Sequence, residues 1–371
     1  MKLNSVPTLR FGGVPTEQRS FQGIPGIEVT EDAVWTTWYG GGSDEGTGNY
    51  VMVARSPLDG AGMPVWSEPT MWVEPDEDSR IFDSVLWVGP NGGLWLFFTQ
   101  TSKAGANWDG RGGVWATRCD DPIRRPDHWT EPRRLGDGVM MNKPTVHSDG
   151  TWLLPIGIWD HPPYHESQEG RRRPYAVKVD DHMTTLEYGA GAPMPPRTFD
   201  EHVIIELAGG GLRMYVRSSP VMFQSESHDG GQTWDEGRPS DIPCADSRFA
   251  LRALASGKWL LITNWMPDGE QPHDGPWGQR SYMSARLSSD DGETWSAPLM
   301  LHSEPVVSYP DFVEQGEWIW ATWDRNRYTD SEILVSRFTE TDVEAGSLDS
   351  SGSFANAVAA AAPSPSSGNG N

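Results

Sequence analysis

Six stretches of the chain are dominated by apolar residues at both odd and even positions, and each is bounded by turn residues. They are Ala33–Tyr39, Gly93–Phe98, Thr151–Ile156, Gly211–Val216, Lys258–Ile262 and Trp318–Trp323. Each is too short for a core helix and lacks the alternation of a half-exposed strand. The pattern therefore predicts strands covered on both faces.

Between these strands a turn recurs. Ser227-His228-Asp229-Gly230-Gly231-Gln232-Thr233-Trp234 and Ser288-Ser289-Asp290-Asp291-Gly292-Glu293-Thr294-Trp295 share the pattern S-x-D-x-G-x-T-W, and 61 residues separate their tryptophans. The chemistry is that of a hairpin: Asp and Ser/Thr side chains bond to turn backbone, Gly takes the positive φ, and Trp packs on the sheet. A stretched copy runs from Arg55-Ser56 through Asp59-Gly60 to Trp66. An eroded one runs from Cys119-Asp120-Asp121 to Trp129, 63 residues after Trp66. A unit without a recognisable turn is expected between Trp129 and Trp234, with outer strands near Tyr175–Val179, and a last one after Trp295. This period predicts an all-β, six-bladed β-propeller with four-stranded blades of roughly 50–60 residues, its termini meeting to close the ring.

Composition agrees, with 19 Trp, 41 Gly and 30 Pro favouring short twisted strands. From Gly346 to Asn371 large apolar residues nearly vanish, so the propeller is expected to span residues 1–345 and a disordered Ser/Ala/Pro/Gly-rich tail to follow. The formal charge of −23 argues against nucleic acid, and no apolar run is long enough to span a membrane. Cys119 and Cys244 have neither a disulfide-framework nor a zinc spacing, and no metal or cofactor is implied. With no signal-peptide pattern at Met1–Phe11, a cytoplasmic location is the expectation.

The repeated turn is the Asp-box, and the chain resembles the sialidase superfamily of BNR/Asp-box proteins. It is also similar, nearly throughout, to a bacterial sialidase-like group of unassigned substrate. The pieces that carry the second likeness include Phe21-Gln22-Gly23-Ile24-Pro25, Met141-Asn142-Lys143-Pro144-Thr145, Phe199-Asp200-Glu201-His202 and Ser308-Tyr309-Pro310-Asp311. The superfamily's pattern implies Tyr309 as nucleophile, Glu201 as the base that takes its proton, and Asp44, five residues before Asn49, as general acid/base. It implies Arg217 and Arg280 as binders of a substrate carboxylate, with His202 and Asp311 beside them. These types suit that chemistry, since a tyrosine can serve when a carboxylate accepts its proton and arginine forks match a carboxylate.

One departure stands out. Sialidases carry an arginine in a Phe/Tyr-Arg-Ile-Pro motif, where this chain reads Phe21-Gln22-Gly23-Ile24-Pro25. Arg80 and Arg248 are the candidate replacements, and weak activity on common sialosides is expected without one. The resemblance implies an exo-glycosidase acting on a terminal acidic sugar, its partner thus an acidic carbohydrate. Two alternatives stay open: a uronic-acid lyase using His202 and Tyr309, and a carbohydrate-binding propeller without turnover. The run Arg171-Arg172-Arg173 reads as a solvated loop edge, and the sequence does not specify an oligomeric state.

Overall fold

The computed structural model describes residues 5–362 apart from 16–18, 59–61, 102–109, 163, 268–269, 272–273 and 275–278. Six antiparallel sheets form the blades of a propeller. Blade one contains Gln22–Val29, Ala33–Gly40, Tyr50–Pro57 and Met71–Glu74, and a further strand, Thr8–Phe11, pairs outside the last of these. Blade two is Ile81–Val88, Leu94–Gln100, Val114–Cys119 and Arg133–Gly136. Blade three pairs two short segments, Val139–Met140 and Thr145–Val146, with Trp152–Gly157, followed by Pro174–Val179 and Leu186–Tyr188. Blade four is His202–Glu206, Leu212–Val216, Val221–Ser227 and Arg238–Pro243. Blade five is Ala250–Ala253, Trp259–Asn264, Met283–Ser288 and Leu299–His302. Blade six is Val307–Gln315, Trp318–Arg325, Glu332–Thr339 and Phe354–Ala360.

The six apolar stretches are the second strands of the six blades, and neighbouring strands and blades cover both their faces. The two intact boxes join the third and fourth strands of blades four and five. In the first, Asp229 accepts bonds from Ser227 Oγ, Gln232 N, Thr233 N and Thr233 Oγ1, which holds its carboxyl at about 2. Trp234 then packs on Leu153, Ala176, Ile204 and Met214, tying blade four to blade three. Asp59 and Gly60 of the stretched box lie outside the described residues.

Blade three, expected to lack a box, keeps its polar half. Asp180 accepts from the amides of His182, Thr184 and Thr185 and from both threonine hydroxyls, and no tryptophan follows. In blade six a single helical turn, Glu340–Ala345, stands in the same place, capped reciprocally by Thr339 and Asp342.

One expectation is corrected. The propeller does not stop at residue 345: Phe354–Ala360 is the outer strand of blade six, and residues 363–371 of the expected tail lie outside the described residues. Its Ala-rich composition suffices because it pairs along one edge only. The first and last strands belong to blades one and six, which meet to close the ring as expected. The ring closes through side-chain packing, with Ile27, Val34, Trp38 and Met52 of blade one against Trp320, Ile333 and Val335 of blade six. Gln22 also bridges the two blades, donating to Ser331 O and accepting from Trp38 Nε1.

Three innermost strands carry the same irregularity. Pairing skips between Gly23 and Gly26, between Phe82 and Val85, and between Ser308 and Asp311. Each bulge holds one non-glycine residue in the left-handed region: Ile24 at φ 58°, Asp83 at 52° and Tyr309 at 57°. A bulge breaks strand alternation and re-aims a side chain, and all three of these residues face one cavity.

Candidate active site

The cavity encloses about 450 Å³ at the end of the channel where the innermost strands begin. Its wall includes Asp44, Glu45, Asp83, Glu201, Arg217, Asp246, Arg280, Tyr309 and Arg327, with Met141, Trp159, Phe199 and Tyr328 as an apolar rim. Five sequence-predicted residues therefore meet here: Tyr309, Glu201, Asp44, Arg217 and Arg280.

Arg217 Nη1 lies between the two residues assigned to proton transfer, donating to Glu201 Oε1 at 2.5 Å and to Tyr309 Oη at 3.0 Å. Its Nε donates to Asp246 Oδ1 at 3.0 Å, and Arg280 Nη2 donates to the Asp246 carbonyl at 2.8 Å. The Arg280 guanidinium stands 5.4 Å from the Tyr309 ring centroid. Glu201 Oε2 is buried and has no hydrogen-bond partner among the described residues. Burial pushes the Glu201 carboxyl above its ordinary value, while Arg217, Arg280 and Arg248 pull it back. Burial likewise raises the Tyr309 phenol, against the pull of Arg217, so the hydroxyl keeps its proton at neutral pH until a base removes it.

Asp44 lines the cavity from an exposed loop. Asn49 pins that loop, donating to the carbonyls of Gly41 (2.7 Å) and Asp44 (3.1 Å) and accepting from Gly46 N (2.7 Å).

Four other predicted residues lie elsewhere. Arg248 sits beneath the site, its guanidinium spent on the carbonyls of Met141, Pro25 and Tyr309 at 2.6–2.9 Å. Arg80 is fully buried behind Glu45 and stacks on Phe82 at 4.0 Å. Neither lines the cavity, so neither replaces the missing arginine. His202 is buried outside the cavity lining, with Nδ1 facing Asp200 O (3.0 Å) and Nε2 facing Tyr175 O (2.9 Å). Desolvation holds it down at about 4, and it does not line the cavity where the lyase alternative would need it as base. Asp311 lies further along its strand and accepts from Arg252 (2.9 Å) and Ile27 N (3.0 Å), away from the cavity. The run at Arg171–Arg173 is tied down, Arg171 to Asp137 and Arg172 to Asp160.

Sequence reasoning missed four polar groups of the wall, Asp246 described above and three more. Arg327, in the turn after Asp324, sits 4.4 Å from the Tyr309 ring centroid. Glu45, next to Asp44, accepts from the hydroxyls of Tyr39 and Tyr328, each at 3.0 Å, and from Arg327 at 3.5 Å. Asp83 is 2% exposed; burial, with Glu201 and Glu45 nearby, drives its carboxyl well above the usual range against the pull of Arg80. Its carboxyl faces the cavity in surroundings that favour the protonated form.

The BNR repeat-like domain family matches residues 33–319. No curated protein matches by sequence. Among solved structures, the Hadza microbial sialidase Hz136 superposes with a TM-score of 0.67 at 17% identity, over 88% of this chain and 67% of that one. The NanB sialidase of Streptococcus pneumoniae gives 0.61 at 13%, over 92% and 71%. The Trypanosoma rangeli sialidase in complex with sialic acid gives 0.60 at 14%, over 90% and 57%. At these identities the likeness is one of fold. With the family matched over most of its length and six antiparallel blades, this chain belongs to the BNR repeat-like domain family and has the six-bladed propeller of sialidases.

Proposed function

We propose that the protein is a retaining exo-glycosidase of sialidase type that removes a terminal acidic sugar from a glycan or glycoside. The observation that carries this reading is the gathering of Arg217, Arg280 and Arg327 around Tyr309, beside Glu201 Oε2, which has no partner among the described residues. Guanidinium forks bind a carboxylate, and the neutral phenol they surround is a nucleophile that does not repel one.

In the first step Tyr309 Oη bonds to the anomeric carbon while its proton passes to Glu201. The glycosidic C–O bond breaks, and the departing oxygen takes a proton from Asp44. In the second step the Asp44 carboxylate deprotonates a water, which attacks the same carbon. The bond to Tyr309 breaks, and Tyr309 recovers its proton from Glu201. The known sugar ligand of one structural relative, sialic acid, is an acidic sugar of this kind.

The test is a panel of chromogenic glycosides of N-acetylneuraminic, glucuronic and galacturonic acids with their neutral counterparts, run beside Tyr309→Phe. Release confined to acidic glycosides and abolished in Tyr309→Phe is the expected result. Equal turnover of neutral glycosides, or full activity in Tyr309→Phe, sinks the reading. An ultraviolet-absorbing unsaturated uronide would identify a lyase, and binding without products a lectin-like propeller.

A further inference from the structure

Gly23 stands where the sialidase motif carries arginine, and its surroundings are occupied. A Cβ built on Gly23 would lie 3.0 Å from Asp324 Oδ2, 3.1 Å from Arg327 Cβ and 3.5 Å from Arg327 Cδ. Its φ lies outside the left-handed region, so the backbone accepts a side chain there. What excludes one is Arg327 itself, whose stem fills that volume from blade six.

The head of Arg327 is held at one edge and loosely engaged at the other. Nη2 donates to Ser308 Oγ at 2.6 Å and lies 3.3 Å from Asp324 Oδ2, which fixes the plane over the Tyr309 ring. Nη1 has a 3.5 Å contact with Glu45 Oε1, at the limit of a hydrogen bond. Glu45 does not depend on that contact, since it keeps the hydroxyls of Tyr39 and Tyr328 at 3.0 Å and Arg80 at 3.8 Å. An incoming carboxylate can therefore take Nη1 at little cost.

We propose that Arg327 is the third carboxylate-binding guanidinium of this site, supplied from blade six in the volume that Gly23 leaves open in blade one, with Glu45 as its placeholder. This rests on the acidic-sugar reading above. It brings sialosides back among the substrates, because the clamp is relocated and complete.

The experiment is calorimetric titration of the full chain with N-acetylneuraminate and glucuronate and with their methyl esters, with melting temperatures recorded beside each variant. Wild type is expected to prefer the acid to its ester. Arg327→Met is expected to weaken acid binding about ten- to a hundredfold and to erase the preference, as loss of one charge-assisted fork implies. Gly23→Arg alone is expected to weaken binding, because two stems compete for one volume. The double variant Gly23→Arg/Arg327→Ala is expected to regain most of the acid preference.

If wild type shows no acid preference, the acidic-sugar reading falls and takes this proposal with it. If wild type prefers the acid and Arg327→Met still does, the proposal alone is overturned. A double variant as weak as Arg327→Met also overturns it, because Arg327 would then act by supporting Ser308 and Asp324.

Discussion

The two ends of the central channel are built from the same six strands and the same residue types, and they dispose of charge in opposite ways. At the far end Asp311 accepts from Arg252 and from the amide of Ile27, with Lys143 Nζ at 3.4 Å. Lys143 also donates to Ile27 O and to Glu28 Oε2, which accepts from Val88 N as well. Each charge there closes on a partner from another strand, linking blades one, two, three, five and six. At the near end Glu201 Oε2 has no partner among the described residues and Arg327 Nη1 has only a marginal one. The lesson is that buried ions alone do not mark a site; a carboxylate oxygen left unspent at a cavity, which among the described residues is Glu201 Oε2, does. Tyr309 and Asp311 belong to opposite ends although two positions apart, because the bulge at Tyr309 swings its ring into the cavity.

Removing the unspent group should give the largest effect. Glu201→Gln cannot take the Tyr309 proton, so kcat/KM should fall by about 10²–10⁴, the range of positioned proton transfer, while the fold is retained. In wild type the base must be ionised and its carboxyl is raised by burial. Activity should therefore fall with acid at a pH above the ordinary glutamate value of about 4.3, and pH–rate profiles of the two proteins decide it. An acid limb at or below that value would remove Glu201 from this role.

Much of the fold was legible in the sequence, because second strands covered on both faces must be apolar and box turns need particular residues. Phe354–Ala360 was not legible, since an outer strand can be made of small residues. Nor was the Asp180 turn, whose bonds survive without the glycine and tryptophan that identify a box. At the site, Arg217, Arg280, Tyr309, Glu201 and Asp44 were found through their order along the chain. Asp83 and Arg327 were missed for a physical reason. A left-handed bulge sets the aim of Asp83, and a glycine on another blade makes room for Arg327; neither follows from strand periodicity.

Opening the closed end tests the other half of the comparison. Lys143→Met leaves Glu28 and Asp311, 3% and 4% exposed, one cation short. Breaking such a network should cost about 3–5 kcal/mol in chemical unfolding. A loss below about 1 kcal/mol would mean that the far end, too, has charge to spare.

Between the two ends, His202 and Asp200 oppose each other. His202, held at about 4, is neutral in the folded chain where the unfolded chain would bind a proton. Its contribution is present above the ordinary histidine value of about 6.5 and is lost as pH falls towards 4, about 3 kcal/mol in all. Asp200 is raised to about 6 by burial, against Arg197. Its contribution is present below the ordinary aspartate value of about 3.9 and is lost as pH rises to 6, again about 3 kcal/mol. The wild-type sum is nearly flat. His202→Gln should become less stable from pH 4 to 6, and Asp200→Asn more stable from pH 4 to 6.5. Parallel slopes in the two variants would refute the opposition.

The smallest effect concerns the box that lost its tryptophan. Thr184 gives Asp180 both its amide and its hydroxyl, as Thr233 gives both to Asp229, yet only the second turn adds a buried Trp234. If the Asp–Thr pair is an independent unit, Thr184→Val and Thr233→Val remove the same exposed hydroxyl bond. Each should then cost about 0.5–1 kcal/mol, at the low end for a hydrogen bond because water can replace the lost partner. If instead tryptophan packing holds the turn, Thr233→Val should be nearly silent and Thr184→Val should cost clearly more. Unfolding of the two variants side by side separates these outcomes, and unequal losses would show that blade three relies on polar bonds where blade four relies on packing.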